Sequence, residues 1–295
     1  MNSIDIESKK FLGQPKNFVS IFNALLFDGQ PVLKPEYLKD ENSELVMNVS
    51  SKHVDIIKRY EDGTYLDLFV IESQSYVDQC MVARVMEYES VARMRYIRQN
   101  FKKHVPMHTR LPMILTVVLY VGESKWNAAK RLSELEIIHP GFEDMFNEFK
   151  LNLIELNTNH KYNTGEKATQ DFFDLLRMIY RKQILKEDLD REFNRDALYF
   201  AYVVTKNKEL LNIYQKSEKG DVKVCRALDE MFEESTNKGI QMGIKQGFEQ
   251  GIEQGIALNQ FEVYQTMLDK GFSVKAIASI FSVSEESIKT LLMRT

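Results

Sequence analysis

Glu72 and Gln74 stand two residues apart at the end of the apolar run LFVI, where a buried strand normally ends in turn residues. In a strand, residues two apart share one face of the sheet, so this carboxylate and this amide project together. Their oxygen atoms suit hard cations such as Mg²⁺ or Mn²⁺. Such an ion polarises a phosphoryl oxygen and lowers the pKa of a bound water, which phosphodiester hydrolysis needs. On spacing alone, the alternative is a strand end that frays into solvent.

The dipeptide Asp62-Gly63 separates two apolar stretches, 54–60 and 64–73, and predicts a two-residue hairpin turn between two strands. With that turn, Asp55 in the first strand lies opposite Val70 in the second. A turn longer by one residue would instead move Asp55 to the other face of the hairpin.

The predicted register sorts the acidic residues of the hairpin onto its two faces. Asp55 shares a face with Glu72 and Gln74 and lies about 7–8 Å from Glu72 as a diagonal neighbour. A divalent cation fits between two carboxylates at that distance. On the other face Lys58 meets Asp67, so we expect Asp67 to form a cross-strand ion pair outside the site.

Helical and strand periodicities alternate through the first half of the chain. They predict a helix at 16–27, a loop at 30–44, strands at 45–49, 54–60 and 64–73, a helix from 77 to about 98, and strands at 113–121 and 150–156. This order indicates an α/β core of about 150 residues. After Thr169 the patterns are helical, which predicts a second, helical layer or subdomain.

The composition is that of an ordinary globular protein, with 295 residues of which 44% are hydrophobic and 28% charged. The longest apolar run, at 113–121, is too short to cross a bilayer, and the N-terminal segment lacks the apolar stretch of a signal peptide. Two cysteines, Cys80 and Cys225, are too few for a disulfide framework or a zinc ribbon. We therefore expect a cytoplasmic protein without membrane contact.

The net charge of -4 hides a basic stretch between Ser90 and Gly122 that contains no Asp or Glu. Its cations are Arg93, Arg95, Arg98, Lys102, Lys103 and Arg110. A local patch of this kind is typical of a track that binds the phosphates of DNA. The alternative is a solvated helix face and loop.

The arrangement of Asp55, a hairpin and then Glu72-Ser73-Gln74 resembles the PD-(D/E)XK nuclease motif in its E-x-Q variant. More specifically, it is similar to the bacterial recombination-promoting nuclease family, whose members are also described as putative transposases. Other positions that resemble this family are Met81, Arg84, Tyr88, the segment LPMILTVVLYVGESKW at 111–126 and the glycine-rich C-terminal segment.

This resemblance implies a restriction-endonuclease-like fold, in which helices flank a central mixed sheet and the active site lies at the hairpin. It also implies that Asp55 and Glu72 bind Mg²⁺ or Mn²⁺ together with the carbonyl of Ser73. Gln74 takes the place of the usual lysine of the motif and orients the attacking water.

Two further roles stay open at this point. The helix at 16–27 contains no acid that could serve as a third metal ligand, and Asp5 and Glu7 are both candidates. Arg84 either reaches the scissile phosphate or is a surface arginine.

Glycines recur every four residues in the segment KGIQMGIKQGFEQGIEQGIA, at 239, 243, 247, 251 and 255. Each glycine inside a helix costs roughly 1 kcal/mol relative to alanine, so close packing against a second chain is expected to compensate. The alternative is a marginal helical linker. The tail at 273–292 predicts two short helices with Ser273 and Ser284 as N-caps, a helix-turn-helix-like unit that either binds DNA or packs on another helix.

We therefore expect four regions: a nuclease-like domain at 1–165, a helical region at 166–236, a glycine-repeat helix at 237–260 and a small helix-turn-helix-like tail at 261–295. The leading hypothesis is a Mg²⁺-dependent DNA endonuclease associated with recombination or mobile elements, which acts as a homo-oligomer. The rival is a catalytically inactive protein that keeps the nuclease fold as a DNA-binding or assembly module. A helical scaffold without a nucleic-acid role is the third class.

Overall fold

The computed structural model describes residues 3–41, 56–63, 66–101, 103–184, 188, 190–217 and 220–293, and the chain divides into two compact units, 1–230 and 231–295. The first unit is built on a five-stranded sheet in the order β1-β2-β3-β4-β5. Its strands are β1 (Leu38–Asp40), β2 (Ile56–Glu61), β3 (Leu66–Gln74), β4 (Ile114–Tyr120) and β5 (Asn152–Glu155). The first three are antiparallel neighbours and the last three are parallel, so the sheet is mixed.

Helices cover both faces of this sheet. The helices of the first unit are α1 (Ser3–Leu12), α2 (Pro15–Phe27), α3 (Met81–Asn100), α4 (Lys167–Arg181), α5 (Arg195–Thr205) and α6 (Lys208–Lys216). From α2, Phe22 packs on Phe69 of β3 with ring centroids 4.8 Å apart, whereas Tyr88 of α3 packs with Val70. Since adjacent residues of a strand point to opposite faces, α2 and α3 lie on opposite sides of β3.

The β2–β3 hairpin differs in register from the prediction. Glu61 pairs with Leu66 and Ile57 with Val70, so the connection spans residues 62–65 and the partners are shifted by two. The Asp-Gly dipeptide does lie in this connection, with Gly63 at a φ of +89°. In the observed register Ile56 pairs with Ile71 and Ile57 with Val70, and apolar cross-strand pairs of this kind stabilise an antiparallel ladder.

The predicted ion pair between Lys58 and Asp67 is wrong, because the shift places Lys58 opposite Phe69. Lys58 instead bonds to Asp40 at 2.6 Å, and Asp40 belongs to β1, a short edge strand within the segment that was predicted to be a loop. Asp67 accepts a hydrogen bond from the Met113 amide at 3.1 Å. The predicted strand at 45–49 lies outside the described residues.

A buried ion-pair network joins α4 to the segment that precedes α5. Arg191 contacts Asp171, Asp174 and Asp188, and the Asn194 amide donates to Asp171 at 2.7 Å. These contacts involve Arg191 and Asn194, which flank the short strand β6 (Glu192–Phe193). Strand β6 pairs with β7 (Val222–Lys223) as an antiparallel ribbon. The region after Thr169 is therefore helical as predicted, apart from this ribbon.

The second unit contains most of α7 (Cys225–Asp269), followed by α8 (Val274–Phe281) and α9 (Glu285–Met293). Ser273 and Ser284 cap α8 and α9, since their hydroxyls accept from the amides of Ala276 and Ser287. Both predicted N-caps are thus confirmed. Tyr264 of α7 packs with Ile277, Ala278 and Ile288, so the tail forms a small core with the end of α7.

The predicted fold class is confirmed, namely a mixed sheet flanked by helices and followed by a helical C-terminal region. Within the part of the chain that the structure describes, no helix is long and apolar enough to cross a membrane.

Glu89 joins α3 to the sheet from a buried position. Its carboxylate accepts a hydrogen bond from the Thr116 amide at 3.0 Å, just before the β4–β5 ladder begins at Val117 and Asn152. Burial raises the pKa of Glu89 above its ordinary value, although this hydrogen bond lowers it in part. Folding therefore favours the protonated form of Glu89.

Because its pKa is raised, Glu89 holds its proton more tightly in the folded protein than in the unfolded chain, whose ordinary value is 4.5. The free energy of unfolding of wild type therefore declines, relative to a variant that does not titrate at this position, as the pH rises above 4.5. We expect Glu89→Gln, which keeps an oxygen acceptor for Thr116, to gain stability over wild type between pH 5 and 8, as measured by urea unfolding. Glu136→Gln, which replaces an exposed carboxylate, is the control variant. If the free energies of unfolding of Glu89→Gln and wild type differ by the same amount at every pH, the raised pKa is contradicted.

Candidate functional site

The candidate site lies at the C-terminal end of β3, on the face that α3 covers. Glu72 and Gln74 share this face with Val70 because side chains alternate along the strand. Their exposed fractions are only 3% for Glu72 and 5% for Gln74. The end of β3 therefore does not fray into solvent, and a charged residue is held inside the protein.

Two side chains donate hydrogen bonds to the same oxygen of Glu72. Arg84 Nη2 lies 3.2 Å and Gln74 Nε2 lies 2.8 Å from Glu72 Oε1. Because an ionised carboxylate only accepts hydrogen bonds, the nitrogen of the Gln74 amide faces Glu72. Gln74 Oε1 is buried and has no hydrogen-bond partner among the residues that the structure describes, which makes it an acceptor available to a ligand or a water.

Arg84 lies near the start of α3, and each of its three nitrogens has a partner. Nη1 donates to the Asp78 carboxylate, while Nε and Nη2 lie 3.1 Å and 2.7 Å from the Tyr88 hydroxyl. Burial acts to lower the Arg84 pKa, but the hydrogen bonds to Asp78 and Tyr88 raise it above its ordinary value. Burial and the charge of Glu72 raise the Tyr88 pKa. The guanidinium thus stays charged and the Tyr88 hydroxyl stays protonated.

The segment after β4 closes one side of the site. A Cβ on Gly122 would lie 2.5 Å from the Tyr120 hydroxyl and 2.6 Å from the Ser75 carbonyl oxygen, so only glycine allows this approach to the end of β3. Trp126 stacks edge-on against Tyr120 at 5.1 Å and donates to the Ala128 carbonyl at 3.1 Å. The sequence from 111 to 126 therefore forms β4 and a tightly packed loop beside β3.

The oxygen donors at the end of β3 suit a hard cation, but they are few. In the described ranges, no three His, Cys, Asp or Glu side chains are grouped as a metal site. Asp55, the predicted second carboxylate, lies outside the described residues. Asp5 and Glu7 lie on α1, which packs against α5. The Glu72 carboxylate and the Gln74 amide oxygen are hard donors of the kind that Mg²⁺ or Mn²⁺ takes.

The predicted basic stretch lies along α3 and the loop beyond it, away from the end of β3. Because a helix rises about 1.5 Å per residue, Arg98 is about 21 Å along the axis from Arg84. Arg98 and Lys103 are exposed, whereas Arg93 and Arg95 are half-buried. Lys102 lies outside the described residues. Of the predicted DNA-binding residues, Arg84 contacts Glu72.

Asp78 was missed by the sequence reasoning. Besides its contact with Arg84, its carboxylate accepts from the Cys80 amide at 3.0 Å, one residue before α3 begins. An aspartate that accepts from the amide two residues ahead forms an Asx turn, and an aspartate just before a helix is a recognisable signal for such a turn. Its second role, as an anchor for Arg84, depends on a helix geometry that the sequence does not show.

Comparisons with known proteins place the chain in a family. No curated protein and no solved structure matches it. The family model described as "Putative transposase, YhgA-like" matches residues 36–210, which include β3, α3 and the basic stretch but not the glycine repeat. Since this match covers more than half of the chain, the protein belongs to the family of YhgA-like putative transposases.

Proposed function

We propose that this protein is a DNA endonuclease that depends on Mg²⁺ or Mn²⁺ and acts in recombination or on mobile elements. The observation that carries the proposal is the buried pair of Glu72 and Gln74, whose amide oxygen lacks a partner among the described residues. Membership of a putative transposase family supports nucleic acid as the substrate.

In this proposal Asp55 and Glu72 hold the cation together with the carbonyl of Ser73. Asp55 directly precedes Ile56 in the chain, and Ile56 pairs with Ile71, the residue before Glu72.

A cation at this site would polarise a phosphoryl oxygen and acidify a bound water. Gln74 would orient that water as an acceptor, because its nitrogen is already committed to Glu72 while Oε1 is unpartnered in the described part of the chain. A lysine at this position could only donate. Gln74 would therefore direct a lone pair of the water toward the phosphorus without adding positive charge, which predicts a modest rate.

DNA would lie along α3, with Arg93, Arg95, Arg98, Lys102 and Lys103 as its phosphate contacts. The distance of about 21 Å from Arg84 to Arg98 corresponds to about six base pairs at 3.4 Å each. Both ends of α3 could then contact one duplex. For Arg84 we favour a role inside the site, since its nitrogens already bond to Glu72, Asp78 and Tyr88.

The rival proposal is a nuclease-like protein without activity that binds DNA or assembles with other chains. One observation favours it: an arginine already neutralises Glu72, and the lysine of the motif is replaced by Gln74. The two proposals share the DNA surface and differ only in whether Mg²⁺ causes cutting.

We further propose that two chains associate through the glycine repeat of α7. Apart from each glycine's chain neighbours and the adjacent backbone of α7, no heavy atom of the described chain lies within 4 Å of a Cβ built on any of its five glycines. Large apolar side chains follow them and are exposed, among them Phe248 at 69% and Ile244 at 67%. A second copy that approaches over the glycines would cover these side chains and compensate for the helix cost.

The activity is tested by incubating the purified protein with supercoiled plasmid and Mg²⁺. We expect wild type to cut, and we expect the double variant Asp55→Ala, Glu72→Ala to lose at least about a hundredfold in rate, because the metal ligands are gone. The control is the double variant Glu143→Ala, Asp144→Ala, which removes two carboxylates of a surface turn. It should cut the plasmid at the wild-type rate. Cutting that survives in the first variant refutes the site, and DNA binding without Mg²⁺-dependent cutting by wild type favours the rival.

The DNA surface is tested through the salt dependence of binding. The double variant Arg98→Gln, Lys103→Gln should bind a DNA duplex more weakly than wild type. Each phosphate contact contributes about 0.9 to the steepness of log K against log salt concentration, so the loss of two contacts should make this line less steep by about two. Arg226→Gln, Lys238→Gln removes two exposed cations elsewhere and serves as the control. If the salt dependence of binding has the same slope in the Arg98, Lys103 variant and in the control, the basic stretch does not contact DNA phosphates and is a solvated surface.

Self-association is tested by light scattering at tens of micromolar. A triple change of Gly243, Gly247 and Gly251 to leucine should produce monomers, because the bulky side chains block close approach while leucine favours the helix more than glycine does. The changes Lys245→Ala, Glu249→Ala and Glu253→Ala alter a different stripe of α7 and should leave the oligomer intact. A chain truncated before Gly239 should also be smaller in subunit number, and if it stays a dimer the linker interpretation is correct.

A further inference from the structure

Arg84 joins two carboxylates that belong to different parts of the first unit. It bonds to Glu72 at the end of β3 and to Asp78 just before α3, with Glu72 at 3.2 Å from Nη2. Its remaining contacts are to Tyr88 and to the Met81 sulfur at 3.7 Å, both on α3 itself. Arg84 is therefore anchored to its own helix by contacts that do not involve Glu72.

We propose that Arg84 is the resting counter-ion of Glu72 and releases this carboxylate when a divalent cation binds there. The inference rests on the proposed metal site. It adds that the Arg84 guanidinium competes with the metal ion for the Glu72 carboxylate. Arg84 is then a positioning residue that neutralises Glu72 before a metal binds, and its role does not require contact with the scissile phosphate.

Charge and burial are the reasons for this exchange. A carboxylate as buried as Glu72 is strongly destabilising without an opposite charge, so some cation has to accompany it before metal arrives. A guanidinium and a divalent cation on the same carboxylate repel each other at a few ångströms. Arg84 can leave Glu72 by a small movement, since Asp78 and Tyr88 continue to hold it.

The exchange is tested with Mn²⁺ alone, by titration calorimetry on the full chain without DNA. We expect Arg84→Met to bind Mn²⁺ roughly tenfold more tightly than wild type, because the competing charge is gone. The variant should also melt at a lower temperature than wild type without metal and recover most of the difference when Mn²⁺ is added. A purely structural arginine would lower the melting temperature equally in both conditions.

Asp78→Asn should change the Mn²⁺ affinity in the opposite direction to Arg84→Met. It also serves as a second variant if Arg84→Met does not fold. Without the Asp78 charge, Arg84 has Glu72 as its main anionic partner, so Mn²⁺ binding should weaken by a similar factor. Arg226→Met and Asp190→Asn are the matched controls, since these residues form an exposed ion pair at 3.7 Å. Both controls should bind Mn²⁺ like wild type.

The outcomes separate this inference from the proposed function. Equal Mn²⁺ affinity in wild type, Arg84→Met and Asp78→Asn overturns the exchange but leaves the metal site standing. Weaker binding by Arg84→Met also overturns it, because Arg84 would then assist the metal. Failure of wild type and both variants to bind Mn²⁺ overturns the metal site and the exchange together.

Discussion

The structure around β3 depends on one buried charge. Glu72 sits inside the protein at the end of a strand, and an ionised carboxylate at that depth needs both an opposite charge and hydrogen-bond donors. Arg84 supplies the charge, which requires α3 to start beside the end of β3 and to run back along the sheet. Asp78 and Tyr88 then fix the guanidinium, so the loop before α3 and its second turn are set by the same carboxylate.

The shared face of Glu72 and Gln74 could be predicted because the side-chain period of a strand is two. The hairpin register was shifted by two residues, an even number, so the partners of Ile57 and Lys58 changed while every side chain kept its face. The same shift broke the expected contact between Lys58 and Asp67, which depended on the partner itself. A register shift of two residues thus keeps the faces and changes the cross-strand pairs.

Other features required contacts that local patterns do not encode. The edge strand β1 forms in a polar segment because it pairs with β2, where Lys58 meets Asp40. The β6–β7 ribbon is held near α4 by Arg191 and the buried Asp171, which lie far from β7 in the sequence. The sequence showed Arg84 as a member of a helix, but its bonds to Glu72 and Asp78 follow from where that helix docks.

The sequence resembles a nuclease motif that has lysine where this chain has Gln74, and the glutamine becomes understandable once Arg84 is considered with it. A lysine at position 74 would place a second cation beside the oxygen of Glu72 that Arg84 already contacts, and like charges at that distance repel. The neutral amide of Gln74 donates to the same oxygen at no such cost and leaves its own oxygen as an acceptor. In a site built this way the positive charge beside Glu72 comes from α3, and β3 supplies the neutral amide of Gln74. The two positions therefore form a coupled pair, and a lysine introduced at position 74 alone would weaken the contact that holds Glu72 in place.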